Sequence, residues 1–208
     1  RSISTQYNQF YTATKTFRDK CFALPGDMNN ATQFWGIAGG TGSDATCKTT
    51  ASTDSRTCNG NGDGAIDDGF SFGFWAGSQE RMRFWQHLAN AQLIEGRYSG
   101  VDVSPASTNN LPPGKISNTY WAIYSYGKLP AAYWNFFEAQ YGNTIIFGKT
   151  CGTRYPAIQT DCGGVTPENA WNVDKKMDDG KPGTGKIMIS SRDGGVHACS
   201  DTAESADS

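Results

Sequence analysis

The stretch Ile3-Ser4-Thr5-Gln6-Tyr7-Asn8-Gln9-Phe10-Tyr11-Thr12-Ala13-Thr14-Lys15-Thr16-Phe17-Arg18-Asp19-Lys20-Cys21-Phe22-Ala23-Leu24-Pro25-Gly26-Asp27 decides the fold. Ile3, Tyr7, Phe10, Phe17 and Cys21 recur at spacings of four and three, with Thr14 filling the gap, so they share one face of a helix. Pro25 disfavours helical dihedrals at Leu24, and Gly26 supplies a free turn, so the helix stops there. A helix with a single apolar face needs a second layer to cover it.

Working outward, a Gly, Thr, Ser and Asp tract from Gly36 to Gly69 has too few apolar residues to hold itself down. A Cys47 to Cys58 clip would restrain it. A second helix is expected from Ser78 as N-cap, with Glu80 in its first turn, through Trp85, Leu88 and Ala91 to Gly96 as its stop. Ile116 to Tyr126 alternates and is rich in Tyr, Trp and Ile, as half-buried strands are, and Asn143 to Lys149 and Gly185 to Ser190 read as further strands. A short helix opens with Thr166 as cap and Pro167 in first position, puts Ala170, Val173 and Met177 on one face, and ends at Asp178-Asp179-Gly180. The pattern predicts an α+β fold, an amphipathic N-terminal helix packed on an antiparallel sheet with long disulfide-clipped loops.

The chain has 208 residues, 18 Lys and Arg against 20 Asp and Glu. A net charge of −2 makes no field that would collect nucleic-acid backbones, so no nucleic-acid partner is expected. The six cysteines, Cys21, Cys47, Cys58, Cys151, Cys162 and Cys199, contain no CxxC spacing, which argues against zinc and for disulfides made outside the cytoplasm. Fifteen connectivities are possible. Loop length favours Cys47 with Cys58 and Cys151 with Cys162, leaving Cys21 for Cys199.

Asn59-Gly60-Asn61-Gly62-Asp63-Gly64-Ala65-Ile66-Asp67 carries the strongest local chemistry. Asn59, Asn61, Asp63, Ala65 and Asp67 occupy the ligand positions of a calcium loop, and Gly64 stands at its sharp bend. Phe70 replaces the closing glutamate, so Asp68 or a distant carboxylate would have to complete the shell; otherwise the loop is weak or is an Asx-turn loop without metal. Gly69-Phe70-Ser71-Phe72-Gly73 matches a hydrolase nucleophile pattern, but a Gly-rich chain meets five-residue patterns easily, and only His87 and His197 could serve as base. Gly180-Lys181-Pro182-Gly183-Thr184-Gly185-Lys186 lacks the hydroxyl residue of a phosphate loop at Ile187 and reads as a tight turn. Asp178-Asp179, adjacent acids closing a helix, reads as a solvated turn rather than a catalytic pair.

Three passages together resemble bacterial type IV pilin-like proteins and type II secretion pseudopilins. They are Phe17 to Met28 with Asn30-Ala31-Thr32, the Gly60 to Asp67 loop followed by Glu80, Phe84-Trp85, Leu88 and Ala91 to Ile94, and Ala170 to Pro182 with Gly185. Cys21 stands where the family pattern has Tyr, and Gln92 where it has Gly. The resemblance implies a single pilin-like domain over residues 1–208, with 1–24 the C-terminal half of a long helix, 25–96 a loop region and second helix, and 97–208 the sheet and C-terminal region. It implies a filament subunit without enzyme activity, trimmed by a leader peptidase. An apolar helix half ahead of Arg1 would anchor it in the inner membrane. Its partners would be other filament subunits and the inner-membrane assembly machinery, and its location periplasmic or extracellular on a bacterial surface filament. Ile3, Tyr7, Phe10 and Phe17 mark the subunit-packing helix, and calcium is the expected cofactor, as in the similar pseudopilins. The competing expectation is a secreted or surface module that binds glycans through Trp, Tyr and calcium.

Overall fold

The computed structural model describes residues 2–40, 47–66, 80–101, 110–129, 139–149, 163–181 and 183–188. The fold is α+β. Helices α1 (Ile3–Cys21), α2 (Ala31–Trp35) and α3 (Glu80–Asn90) precede strands β1 (Thr119–Leu129) and β2 (Ala139–Lys149), and helix α4 (Pro167–Met177) follows. Among the described residues no helix is long and apolar enough to cross a membrane.

The Ser2 side chain caps α1 by accepting the Thr5 amide at 3.4 Å. Arg18 and Lys20 in the last turn oppose the negative end of the helix dipole. At the other end Phe22 turns left-handed, and its amide reaches the Arg18 carbonyl at 2.8 Å. The expected apolar face is real but does not meet a sheet alone. Phe10 sets its ring edge against Trp85 of α3 at 5.2 Å and against Trp121 of β1 at 5.5 Å. Phe17, fully buried, packs against both Trp35 and the His87 imidazole, which also touch each other. Edge-to-face aromatic pairs of this kind add about 0.5–1.5 kcal/mol beyond the area they bury.

The two strands form an antiparallel pair, Ile123 opposite Ile145 and Trp121 opposite Phe147. Its register slips around Gly127, where Gly127 and Gly142 both have positive φ. Relative to the expected strand, β1 starts three residues later because Thr119 first closes a turn onto the Ile116 carbonyl, with Asn118 left-handed inside it. The strand expected over Gly185–Ser190 does not form in its described part. There Asp178 takes the amides of Lys186 and Ile187, the donors a strand would give a neighbour. α4 is capped as expected, Thr166 accepting the Asn169 amide at 3.3 Å with Pro167 in first position. α2 went unseen in the sequence; at five residues it is too short to show a period.

The second helix also departs from expectation. It stops at Asn90, six residues before Gly96, because Gln92 adopts φ 59° and the Leu93 amide turns back to the Leu88 carbonyl at 3.0 Å. This is the position where the family pattern carries glycine, and the exposed Gln92 side chain is strained there. Gln92→Gly is therefore expected to raise stability by up to about 1 kcal/mol, the relief of left-handed strain less the added freedom of the unfolded chain. Urea unfolding of the two proteins checks this; an unchanged or lower midpoint contradicts it.

Candidate functional site

Every residue of α3 from Glu80 to Leu88 is buried. An amphipathic helix shows water its polar face. This one turns its polar residues onto loops instead. Glu80, Arg83, Gln86 and His87 follow three- and four-residue spacing along one side, and each holds a different piece of irregular chain. Glu80 Oε1 accepts the Asn61 amide at 2.8 Å. Arg83 donates to the carbonyls of Cys47 and Thr50 at 2.9 and 3.0 Å. Gln86 donates to the Arg56 carbonyl at 3.1 Å.

His87 completes the row. Its Nδ1 accepts the Gly26 amide at 2.9 Å, so Nε2 carries the proton. Thr57 gives its hydroxyl proton to Gln86 Oε1 at 2.7 Å and so accepts from Nε2 at 3.0 Å. Burial, with the Arg83 charge beside it, pushes the His87 pKa down to about 3. Burial also lowers Arg83, to about 10, which leaves it charged at neutral pH. A histidine locked neutral in the core, with both nitrogens engaged, is a structural bracket.

The described part of the loop, residues 59–66, is organised around an anion. The Asp27 carboxylate accepts the amides of Gly62, Asp63 and Gly64 at 2.6, 3.1 and 3.0 Å. Successive amides converging in this way make a nest for a carboxylate. Burial pushes the Asp27 carboxyl up, and the three amides pull it part of the way back. Around the nest, the oxygens proposed as calcium ligands accept backbone amides: Asn59 from Thr32, Asn61 from Asp63, and Asp63 from Ala65. Ala65 itself sits beside the Asn143 side chain of β2, which accepts the Ile66 amide and donates to the Gly64 carbonyl, both at 2.8 Å. Asp67 lies outside the described residues, as do Asp68, the 69–73 pentapeptide, Ser78 and His197. The glycines of both passages are required by contact. A Cβ on Gly60 would strike the Asp27 backbone, and one on Gly26 the Glu80 carbonyl.

The Cys47–Cys58 disulfide forms as expected and closes this region. Cys21 is a half-buried free thiol, against the expected tie to Cys199; Cys199, Cys151 and Cys162 lie outside the described residues. Of the four residues assigned to subunit packing, Phe10 and Phe17 are consumed by the core, and Ile3 and Tyr7 are half-buried against it. The helix instead exposes a mainly polar stripe, Asn8, Tyr11, Thr12, Lys15 and Asp19, with the Lys15 ammonium 5.0 Å from the Tyr11 ring.

The acids closing α4 are not a simple solvated turn. Asp174 is 3 % exposed, and burial raises its pKa, with the Gly180 amide lowering it and the charges of Asp179 and Asp178 raising it further. Asp178 also adds to the upward push that burial and Tyr11 exert on the Tyr7 phenol, which places this turn beside α1. Sequence reasoning missed Asp27, Arg83 and Asp174 as organising residues. For Arg83 the available signal was Glu80, Arg83, Gln86 and His87 at helical spacing inside a stretch as aromatic as Phe84-Trp85.

No family model, curated protein or solved structure matches the chain.

Two outcomes follow from these contacts. Asp27→Asn removes an acceptor from the amide nest and is expected to cost about 1–3 kcal/mol in urea unfolding, the range for stranding a buried donor; an unchanged midpoint would show the nest to be dispensable. His87 titrates near 6.5 when unfolded but near 3 when folded, so the unfolded state binds the extra proton between those values. The stability this neutral imidazole provides is full above about pH 6.5 and is lost as the pH falls toward 3, with a limiting slope of about 1.4 kcal/mol per pH unit. Urea midpoints measured from pH 7.5 to about 4.5 should fall less steeply in His87→Gln than in the parent chain.

Proposed function

We propose that the chain is a structural subunit of a type IV filament, a pilus or secretion pseudopilus, that assembles through its N-terminal helix. The observation that carries this reading is the two-sided use of α1. Phe10, Ala13 and Phe17 fix the helix to the core, while the stripe through Asn8, Tyr11, Thr12 and Lys15 stays open along its length. A helix anchored on one side and free on the other can pack against the same helix in a neighbour. Support also comes from the junction of the first two family-like passages. Asp27, the Gly60 to Gly64 turn and Glu80, far apart in sequence, join in one hydrogen-bonded unit.

Around that unit, Phe22 and Phe34 stand 93 % and 63 % exposed near the end of α1 and on α2. Large apolar side chains held in water at the margin of a helix suit contacts between subunits. In this reading the partners are further copies or related subunits together with the inner-membrane assembly machinery, the location is a bacterial surface or periplasmic filament, and no residue is catalytic.

The test uses the full chain in cells that make it. Tyr11→Asp should remove the protein from sheared surface filaments while leaving the melting midpoint of the folded domain close to the parent value. Two results would overturn the reading. One is a parent chain that is exported yet never present in filaments. The other is a gene that joins an ordinary cleavable export signal directly to Arg1, where the proposal requires about twenty apolar residues.

A further inference from the structure

We propose that Asp174, Asp178 and Asp179 form a binding site for a hard divalent cation, calcium by its chemistry, where α4 ends. One carboxylate oxygen from each residue lies within 4.8 Å of the others. Calcium binds oxygen at about 2.3–2.6 Å, so two ligands of a single ion stand at most about 5 Å apart. The spacing is that of ligands to one ion.

An acidic turn alone would not justify a site. The second observation is Asp174 itself, which is 3 % exposed and whose Oδ1 is shut from solvent without a hydrogen-bond partner. Both oxygens of a carboxylate hang from one carbon, so Oδ1 is either the converging atom or its immediate neighbour. A buried carboxylate oxygen without a donor is costly to keep, and cation coordination is one of the few ways to satisfy it.

The rest of the turn holds the other two carboxylates in place. Asp178 Oδ2 accepts the amides of Lys186 and Ile187. Asp179 accepts the Lys181 amide and the Thr184 hydroxyl, each at 2.8 Å. Gly185, at φ 80°, lets the chain wrap this closely, since a Cβ there would strike Asp178. Asp178 Oδ2 spends both of its lone pairs on the Lys186 and Ile187 amides and leaves Oδ1 for a metal, while each Asp179 oxygen, holding one donor, keeps a second lone pair.

Charge points the same way. Three carboxylates meet at the C-terminal end of a helix, where the macrodipole is already negative and cations are favoured. Lys175, next to Asp174 in sequence, places its ammonium 4.7 Å from the Trp171 ring. An all-oxygen set of triple negative charge without nitrogen or sulfur selects a hard cation, and three protein ligands completed by water suit the flexible shell of calcium better than the strict octahedron of magnesium. The site shares no residue with the 59–67 passage, and the inference stands whether or not the chain forms filaments.

The test is calorimetric titration of calcium chloride into the chelator-stripped chain, with terbium luminescence sensitised by Trp171, one helical turn from Asp174, as a second readout. The parent should bind one ion. Asp179→Asn, on the exposed turn, and Asp174→Asn should each weaken binding by about tenfold or more, because affinity follows ligand charge. Asp63→Asn should bind as the parent does. Circular dichroism establishes that each variant is folded, and should Asp174→Asn unfold, Asp179→Asn decides. Absence of binding by the parent, binding unaffected by Asp179→Asn, or loss caused by Asp63→Asn would overturn the site. Equal affinity for magnesium would overturn the choice of calcium.

Discussion

The structure depends on burying a polar helix face without stranding it. α3 lies inside the molecule on all sides, so Glu80, Arg83, Gln86 and His87 had to find partners other than water. They found them in backbone groups of segments with no regular structure of their own: the turn after α1, the disulfide loop and the 59–64 turn. Each requirement answers the other. Gly-rich loops leave amides and carbonyls unpaired, and a buried polar stripe leaves side chains unpaired. Joined, they make a core that is part aromatic and part hydrogen-bonded.

Asp27 shows how closely this joint is fitted. Its carboxylate is the centre around which Gly62, Asp63 and Gly64 close, while the amide of its neighbour Gly26 meets His87. The glycines on both sides admit backbones too near for any side chain. The chain leaving α1 is thus tied directly to α3. The aromatic wedge of Phe10 between Trp85 and Trp121 ties the same helix to α3 and to the hairpin.

Two turns rich in Asp and Gly meet opposite fates. At 59–64 the side-chain oxygens and the amides pair with one another and with Asp27. After α4, the amides of Lys181, Lys186 and Ile187 and the Thr184 hydroxyl donate to Asp178 and Asp179, but one oxygen of Asp174 is left inside without a donor. The residue types are alike, and the balance of donors against acceptors differs. That balance, more than the spacing of acids along the chain, separates a self-sufficient turn from one that leaves a buried carboxylate oxygen unpaired.

What the sequence determined by itself was local. The spacing of Ile3, Tyr7, Phe10 and Phe17 announced α1, Leu24-Pro25-Gly26 its end, Thr166-Pro167 the start of α4, and the short Cys47 to Cys58 separation a clip, because periodicity, proline sterics and loop length act between near neighbours. The α+β class followed from those signals and from the alternation within β1. Tertiary structure decided the rest. It held residues 186 and 187 on Asp178 where a strand was expected, placed Phe10 and Phe17 in the core, and set the Asp27 carboxylate among the amides of residues 62–64. Those outcomes turn on which rings, amides and carboxylates separate segments bring together. No period or motif encodes that, since a hydrogen bond between Asp27 and Gly62 is a property of where two segments meet.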